Sequence, residues 1–435
     1  MSTTPSPQTK KWEKIFEKIT PSLPYYVERE EAFQAFQTFG IPTPKTENYR
    51  KSPIPRLVTN TDFMPPHPTV ATQFHQGDWK KIPQYVKAPC YHVVFVNGWL
   101  NTTLTNLPAQ HPFLQLTTLQ EGSPTQQKFI KESFKEESIT HLDPFTSLNG
   151  ALFDQGYCLH IKDNVAVDRP ICIYTITMAT KAPLFTMPRL SIIVGENSKA
   201  TLIQSSHSIG DSPPNLVNST VTTHVGKNGQ LSCYHMQDTY SNNYHINTAN
   251  VYQAGGSSFT NYTFTLGSQF VRNNLTVTSQ GDDTATHLYG LYALNGKDHV
   301  DNHVQVKHLY PHTYSKQHYK GILGGEATAI FNGKIYVAST AQKTNAFQTN
   351  NTLLLTDSVS NYAQPQLEIY ADDVKCSHGA TTGQLDQAQL FYLRSRGISE
   401  QEGRQLLLQA FAGEIIRKVD LSSLQEYLYL SSLLL

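Results

Sequence analysis

Cys376 and His378 stand two residues apart in the segment 365–398, PQLEIYADDVKCSHGATTGQLDQAQLFYLRSRGI. A thiolate and a neutral imidazole can both ligate iron or another soft metal. On a strand, two residues separate Cα atoms by ~6.6 Å along one face. That span could contribute two ligands and leave a cluster or metal under-coordinated. A complete iron–sulfur site usually takes four ligands, commonly thiolates. The pair is therefore half a site at most, to be completed by a partner. The plainer reading is a small core residue beside a structural histidine.

Other groups of reactive residues are less specific. His299, His303, His308, His312 and His318 form a run, but Val304, Val306 and His308 alternate with Gln305 and Lys307 as in a strand. Four strand residues span ~13 Å, too far for two histidines to share one ion at ~2 Å bonds. Hydrogen-bonded or solvated histidines are expected instead, with His308 buried and satisfied. Asp372 and Asp373 are adjacent, so a strand would point them to opposite faces; they read as turn or edge charges rather than an acid–base pair. Gly290 to Lys297 falls short of a phosphate-binding loop, because its glycines are one residue too far apart and Asp298 stands where Ser or Thr would hold magnesium. The sequence contains neither a Gly-x-Ser-x-Gly elbow nor His-Glu-x-x-His. Any ATP dependence must come from another protein, and hydrolases are disfavoured.

The elements around the pair follow from period. Up to His378 the residues alternate like a strand; if it is unbroken, Glu368, Tyr370, Asp372, Val374, Cys376 and His378 share one face. After Gly379 the pattern turns helical, with Asp386 as N-cap, Leu390 and Leu393 at helical spacing and Gly397 at C′. The pair thus sits at the seam between a strand and a helix. Ser399 and Glu402 then form a capping box, Leu406, Leu407, Ala410, Phe411 and Ile415 an apolar stripe, and a last helix spans roughly 421–435. Its leucine-rich face needs a partner surface, in cis or in trans.

At the other end, Trp12, Ile15, Phe16 and Ile19 mark one helical face, and Ala32, Phe33, Phe36 and Phe39 another, ending at Gly40. Prolines 42, 44, 53 and 55 exclude a continuing helix, and a charged helix at 125–138 closes the region. From about Asn149 to Val374 short β-rich runs follow one another, such as 171–177, 190–194, 217–225, 231–237, 258–265 and 330–337. Gly195-Glu-Asn197, Gly226-Lys-Asn-Gly229 and Gly255-Gly256 punctuate them. No helices intervene, which excludes a βαβ plan and leaves a sandwich, a barrel or a solenoid.

Composition narrows function further. The 435 residues carry 34 Lys+Arg against 34 Asp+Glu, which offers no electrostatic footprint for nucleic acid. Charged residues are only 16%, as in a large β protein with uncharged polar faces. No apolar run approaches the ~20 residues that span a bilayer, and the N-terminus has no hydrophobic signal core, so a cytoplasmic location is expected. Cys90, Cys158, Cys172, Cys233 and Cys376 are odd in number, widely spaced and without Cys-x-x-Cys, which disfavours a disulfide framework or structural zinc site. The first four read as buried small hydrophobes.

Several landmarks keep one order along the chain: Gly40-Ile-Pro-Thr43, Glu47-Asn48-Tyr49-Arg50, Phe95-Val-Asn-Gly98, Pro188-Arg189, Arg272-Asn-Asn-Leu275, His308 with Pro311-His312, Ser315, Tyr319-Lys320 and Phe331-Asn-Gly333. The most specific is Lys375-Cys-Ser-His-Gly-Ala-Thr381 leading into Leu390-Phe-Tyr-Leu-Arg-Ser-Arg-Gly-Ile398. Together they resemble the SufB/SufD family, scaffold subunits of the SUF iron–sulfur cluster assembly machinery, and within it the SufD type. Where the family often carries a cysteine after Pro-His, Thr313 stands here.

The resemblance implies a mainly β chain: a right-handed parallel β-helix core over 146–380, flanked by an N-terminal helical or mixed region over 1–145 and a C-terminal helical region over 381–435. It implies a non-enzymatic scaffold that pairs with a SufB-like paralogue and docks a SufC-like ABC ATPase on its C-terminal helices. Phe391, Tyr392, Arg394 and Arg396 are the expected docking anchors. His378, then Cys376, would act at the SufB interface, opposite a SufB cysteine implicated in nascent cluster assembly. A transient iron–sulfur cluster could form there, with none held stably by this chain alone. No nucleic acid or membrane partner is expected. The alternatives are a self-pairing SufB-like cluster scaffold and a parallel β-helix carbohydrate-active enzyme. Few cysteines weigh against the first, and a core poor in Asp and Glu against the second.

Overall fold

The structure, a computed structural model, describes residues 7–18, 23–43, 45–65, 67, 69, 73–83, 85–108, 111–140, 143–210 and 213–431. Helices α1 (Pro7–Phe16), α2 (Tyr26–Phe39), α3 (Ile54–Asn60) and the short α4 (Gln76–Trp79) precede strands β1 (Tyr91–Val96), β2 (Trp99–Leu100) and β3 (Leu114–Thr118). Helices α5 (Pro124–Thr140) and α6 (Pro144–Leu152) follow. Then come β4 (Tyr157–Ile161), β5 (Ile171–Met178), β6 (Phe185–Thr186), β7 (Arg189–Val194), β8 (Lys199–Ile209) and β9 (Asn215–Val225). The long β10 (Gln230–Gln253) and β11 (Ser258–Ser279) lead to β12 (Ala285–Leu294), β13 (His299–His308), β14 (Tyr314–Leu323) and β15 (Thr328–Val337). The strands end with β16 (Thr344–Leu354), β17 (Ser360–Ile369) and β18 (Val374–Gly383), before helices α7 (Gln387–Ser395), α8 (Glu400–Ile416) and α9 (Ser422–Ser431).

The strands coil into a parallel β-solenoid of about 8 turns over residues 157–383. One face runs β5–β8–β10–β11–β12 and continues through β14, β16 and β18; the other runs β7–β9–β10–β11–β13–β15–β17. β10 and β11 serve both faces. The first half of β10 pairs with β8 and its second half with β9, with register shifts between Gln237 and Tyr244 where the chain turns the corner. β1, from the N-terminal region, also joins the solenoid, parallel to β5.

Tight corners explain the Gly and Asn punctuation. Asn164, Asn197 and Asn228 all adopt positive φ on successive turns. Their amides stack, Asn197 Nδ2 donating to Asn164 Oδ1 and Asn228 Nδ2 to Asn197 Oδ1, both at 3.0 Å. Asn tolerates the left-handed region, and the ladder satisfies side chains that a regular sheet would leave unpaired.

Each face is covered by helices. The faces of α1, α2 and α6 bury Trp12, Phe33, Phe36, Phe145 and Leu148 against Phe185 and Phe270 of the solenoid. Phe39, placed on the α2 stripe by period, is 43% exposed, and Ile19 lies outside the described residues. α6 carries no strong sequence signal, yet it is buried along its length and capped by Asp143, which also accepts the Tyr49 hydroxyl at 2.6 Å. On the opposite side α8 and α9 bury Leu408, Ala412, Ile415, Leu424 and Leu428 against a tyrosine stack, Tyr234–Tyr262–Tyr289, with centroids 4.7 and 5.1 Å apart. The leucine face of α9 thus finds its partner in cis. The expected stripe of α8 is corrected in phase: Leu406 and Ala410 face solvent, and Leu408, Ala412 and Ile416 turn inward. The α9 helix is described only to Ser431, and residues 432–435 lie outside the described ones.

Candidate functional site

Cys376 and His378 lie inside β18, which continues to Gly383, rather than at a strand–helix seam. The strand expected from Glu368 to His378 is broken: β17 ends at Ile369 and β18 begins at Val374, with Asp372 and Asp373 exposed in the turn between them. A solenoid must turn at each corner, and strand alternation in the sequence does not reveal where it does so.

Register places both residues on inward columns of the solenoid. The Cys376 column rises through Leu231, Phe259, Thr286, Ser315 and Ala346. That of His378 rises through Cys233, Asn261, Leu288, Gln317 and Gln348. Every residue below the last rung in both columns is buried. His378 is exposed because no further rung covers it. Cys376 is half-buried against Ala346 and Ala371, and burial pushes its thiol pKa up, so it is a poor nucleophile as it stands. Beneath His378, Gln348 Nε2 donates to Gln317 Oε1 at 2.9 Å, while Gln348 Oε1 is buried without a partner. Gly333 permits this amide: a Cβ there would lie 1.8 Å from Gln348 Nε2.

Among the described residues β18 has only β16 as its ladder partner and β17 only β15, so the outer edge of each is unpaired there. Such an edge is a template for another chain. Among the described residues, no group of three or more His, Cys, Asp or Glu is placed to hold a metal ion.

The histidine run is dispersed over β13, β14 and their connections. His308 bonds Thr313 Oγ1 at 2.7 Å and Ser315 Oγ at 2.8 Å, and burial lowers its pKa to about 4. His303 Nε2 lies 2.7 Å from Asp301 Oδ1, and the other Asp301 oxygen is paired with Arg272 at 2.6 Å.

On α7, Phe391 is 72% and Tyr392 57% exposed, Arg394 and Arg396 are exposed, and the Arg396 guanidinium lies 5.3 Å from the Tyr392 ring centroid. Leu390 instead packs inward beside Gly403 of α8. The Asp386 cap, the Ser399–Glu402 capping box and the positive φ of Gly397 are as the sequence indicates.

Sequence reasoning missed Gln317 and Gln348, which only rung register brings beneath His378. It also misplaced Cys90. Cys158, Cys172 and Cys233 are buried, but Cys90 is half-exposed and its Sγ hydrogen-bonds His92 Nε2 at 3.0 Å. The signal was present, since Cys90-Tyr-His92 repeats the spacing of Cys376-Ser-His378.

Two family models match the chain: the SufBD core domain of SUF-system FeS cluster assembly over residues 176–411, and the SufBD protein N-terminal region over 11–173. An iron–sulfur cluster assembly SufBD family protein of Synechocystis sp. is 32% identical over 343 residues, covering 77% of this chain and 75% of that protein. The iron–sulfur cluster assembly protein SufD of Escherichia coli is 28% identical over 381 residues, covering 86% and 85%. In the described helices there is no segment long and apolar enough to cross a membrane. A parallel solenoid with helices at both ends and matched along nearly its whole length identifies the chain as a member of the SufBD family of SUF iron–sulfur cluster assembly proteins.

Proposed function

We propose that the chain is a non-enzymatic, SufD-like scaffold that pairs with a SufB-like paralogue through the open end of its solenoid and docks a SufC-like ATPase on α7. The observation that carries this reading is the uncapped terminal rung. Solenoids shield their last repeat with a polar cap; here, among the described residues, β17 and β18 end the stack with free edges, and His378 terminates an interior column there. A partner that adds a rung would cover His378 and bring its own ligands to the half-site. Neutral imidazole coordinates iron. Cys376 would be a second ligand or a packing group. A cluster would be cargo at this interface, with none held stably by this chain alone.

Phe391 and Tyr392 are too exposed to be packing residues of this chain, and aromatic and arginine side chains dominate protein interfaces. ATP turnover belongs to the docked ATPase. The division at 1–145, 146–380 and 381–435 assigns helical cover, pairing core and docking region in that order. Against a carbohydrate-active enzyme, the buried carboxylates Glu137 and Asp301 are each neutralised by an arginine, Arg189 and Arg272, instead of facing one another.

Hydrogen–deuterium exchange tests the pairing. Amides of 374–383 are expected to exchange quickly in the isolated chain and to slow strongly when the SufB-like partner is added. Unchanged exchange in a formed complex would contradict pairing through this end. Slow exchange in the chain alone, together with a dimer in sedimentation, would favour self-pairing.

A further inference from the structure

Cys90 and Cys172 meet at the junction of β1 and β5, at the other end of the same sheet from β18. His92 of β1 pairs with Cys172 of β5, and Cys90, two residues before His92, lies on the same side, one step diagonally from Cys172. The Cys172 thiol hydrogen-bonds the Cys90 sulfur, Tyr174 hydrogen-bonds Cys172, and His92 Nε2 lies 3.0 Å from Cys90 Sγ. Trp79 holds this group from outside, its ring 5.4 Å from that of His92 and edge-on to Tyr174 at 4.7 Å. Cys90 is half-exposed, whereas Cys172 is buried.

We infer that Cys90 and Cys172 form a redox-active dithiol, in which Cys90 is the thiol oxidised by hydroperoxides and Cys172 resolves it to a disulfide. The arrangement has the three parts this chemistry needs: an accessible sulfur, an imidazole to take and return its proton, and a second thiol already in contact. The Cys90 thiolate attacks the distal oxygen of a hydroperoxide; the S–O bond forms, the O–O bond breaks, and the leaving alkoxide or hydroxide takes the proton from the His92 imidazolium. The Cys172 sulfur then displaces water from the sulfenic acid. Two electrons leave the dithiol and reduce one peroxide to an alcohol and water. A cellular dithiol restores the reduced pair by exchange.

Electrostatics agree with the geometry. The titratable groups facing Cys90 are His92 on β1, which Cys90 immediately precedes, and Cys172 and Tyr174 on β5. Hydrogen bonds from Cys172 and then His92 outweigh burial and hold Cys90 at about 5, while Cys172 is pushed upward by its bond to Cys90 and by burial. Cys376 is shifted the other way, which makes it an internal reference.

The test uses the full chain with hydrogen peroxide as probe. One equivalent should remove the mass of two hydrogens and yield a Cys90–Cys172-linked peptide, and a dithiol should reverse both. Cys90→Ser should abolish the change. Cys172→Ala should instead leave a sulfenic acid on Cys90 that dimedone traps. Iodoacetamide should label Cys90 about tenfold faster than Cys376 at pH 6, since thiolate fraction there outweighs lower intrinsic nucleophilicity. The Cys90 labelling rate should stay flat from pH 8 to 6, and Cys172→Ala should turn that plateau into a rise with pH, His92→Ala having the smaller effect. If Cys172→Ala does not fold, wild-type labelling and peptide mapping decide the matter alone. Absence of the linked peptide, or a Cys90 labelling rate that climbs tenfold per pH unit between 6 and 8, would overturn the inference.

Discussion

Gln348 lies one rung beneath His378 in the same interior column, and its buried Oε1 has no partner. The solenoid thus ends in an amide with an unmet acceptor under an exposed imidazole. Gly333 leaves the space that the amide occupies. Replacing Gly333 by Ala should displace Gln348 and cost about 1–3 kcal/mol, as overpacking of a core does. Chemical denaturation would measure it, and Gln348→Ala in the same chain should recover part of the loss. A Gly333→Ala protein as stable as wild type would show that this column is not tightly packed.

The deep ion pair between Arg272 and Asp301 ties the solenoid to the N-terminal region, because Arg272 also donates to the Asn48 carbonyl at 2.7 Å and stacks over Tyr49 at 4.2 Å. Burial alone would raise the Asp301 pKa, but Arg272 and then His303 outweigh it and hold it at about 2, below the ordinary 3.8. A depressed carboxyl stabilises the fold above its unfolded pKa, and that contribution is lost as pH falls through the folded one. Stability should therefore fall between pH 4 and 2, by roughly 2–3 kcal/mol from this group. Asp301→Asn should flatten that part of the profile while costing about 3–5 kcal/mol at neutral pH, because it strands a buried guanidinium. An unchanged acid limb in a folded Asp301→Asn protein would contradict the assignment.

Much of this was legible in the sequence, and the remainder failed for identifiable reasons. Asp386, Ser399 and Glu402 could be placed because caps are local chemistry. The Gly and Asn corners could be placed because positive φ selects those residues. The solenoid itself followed from family resemblance, since short β runs alone also fit a sandwich. Rung register, which puts Gln317 and Gln348 under His378, joins residues about thirty apart and leaves no periodic trace in a single sequence. The phase of α8 was misread because Leu406 and Leu407 are adjacent, and only the tyrosine stack opposite selects Leu408 as the buried neighbour.

Docking on α7 is best tested by side-chain truncation. Removing everything after Gly383 would also strip α8 and α9 from the tyrosine stack, so loss of binding would not distinguish docking from unfolding. Phe391→Ala with Tyr392→Ala should weaken binding of the SufC-like ATPase by roughly 2 kcal/mol or more, about thirtyfold or greater in Kd, with no change in Tm. Calorimetric titration measures the affinity and a thermal melt the Tm. Wild-type affinity in the double variant would remove α7 from the interface.

Cluster content of the assembled complex bears most directly on the central claim. His378→Ala should leave the fold intact, since the ring is exposed. Association with the SufB-like and SufC-like subunits should also persist, but reconstituted iron and sulfide per complex should fall severalfold. Cys376→Ala should lose less. The account predicts a stable His378→Ala complex that is poor in cluster; a stable His378→Ala complex with normal cluster content would contradict it.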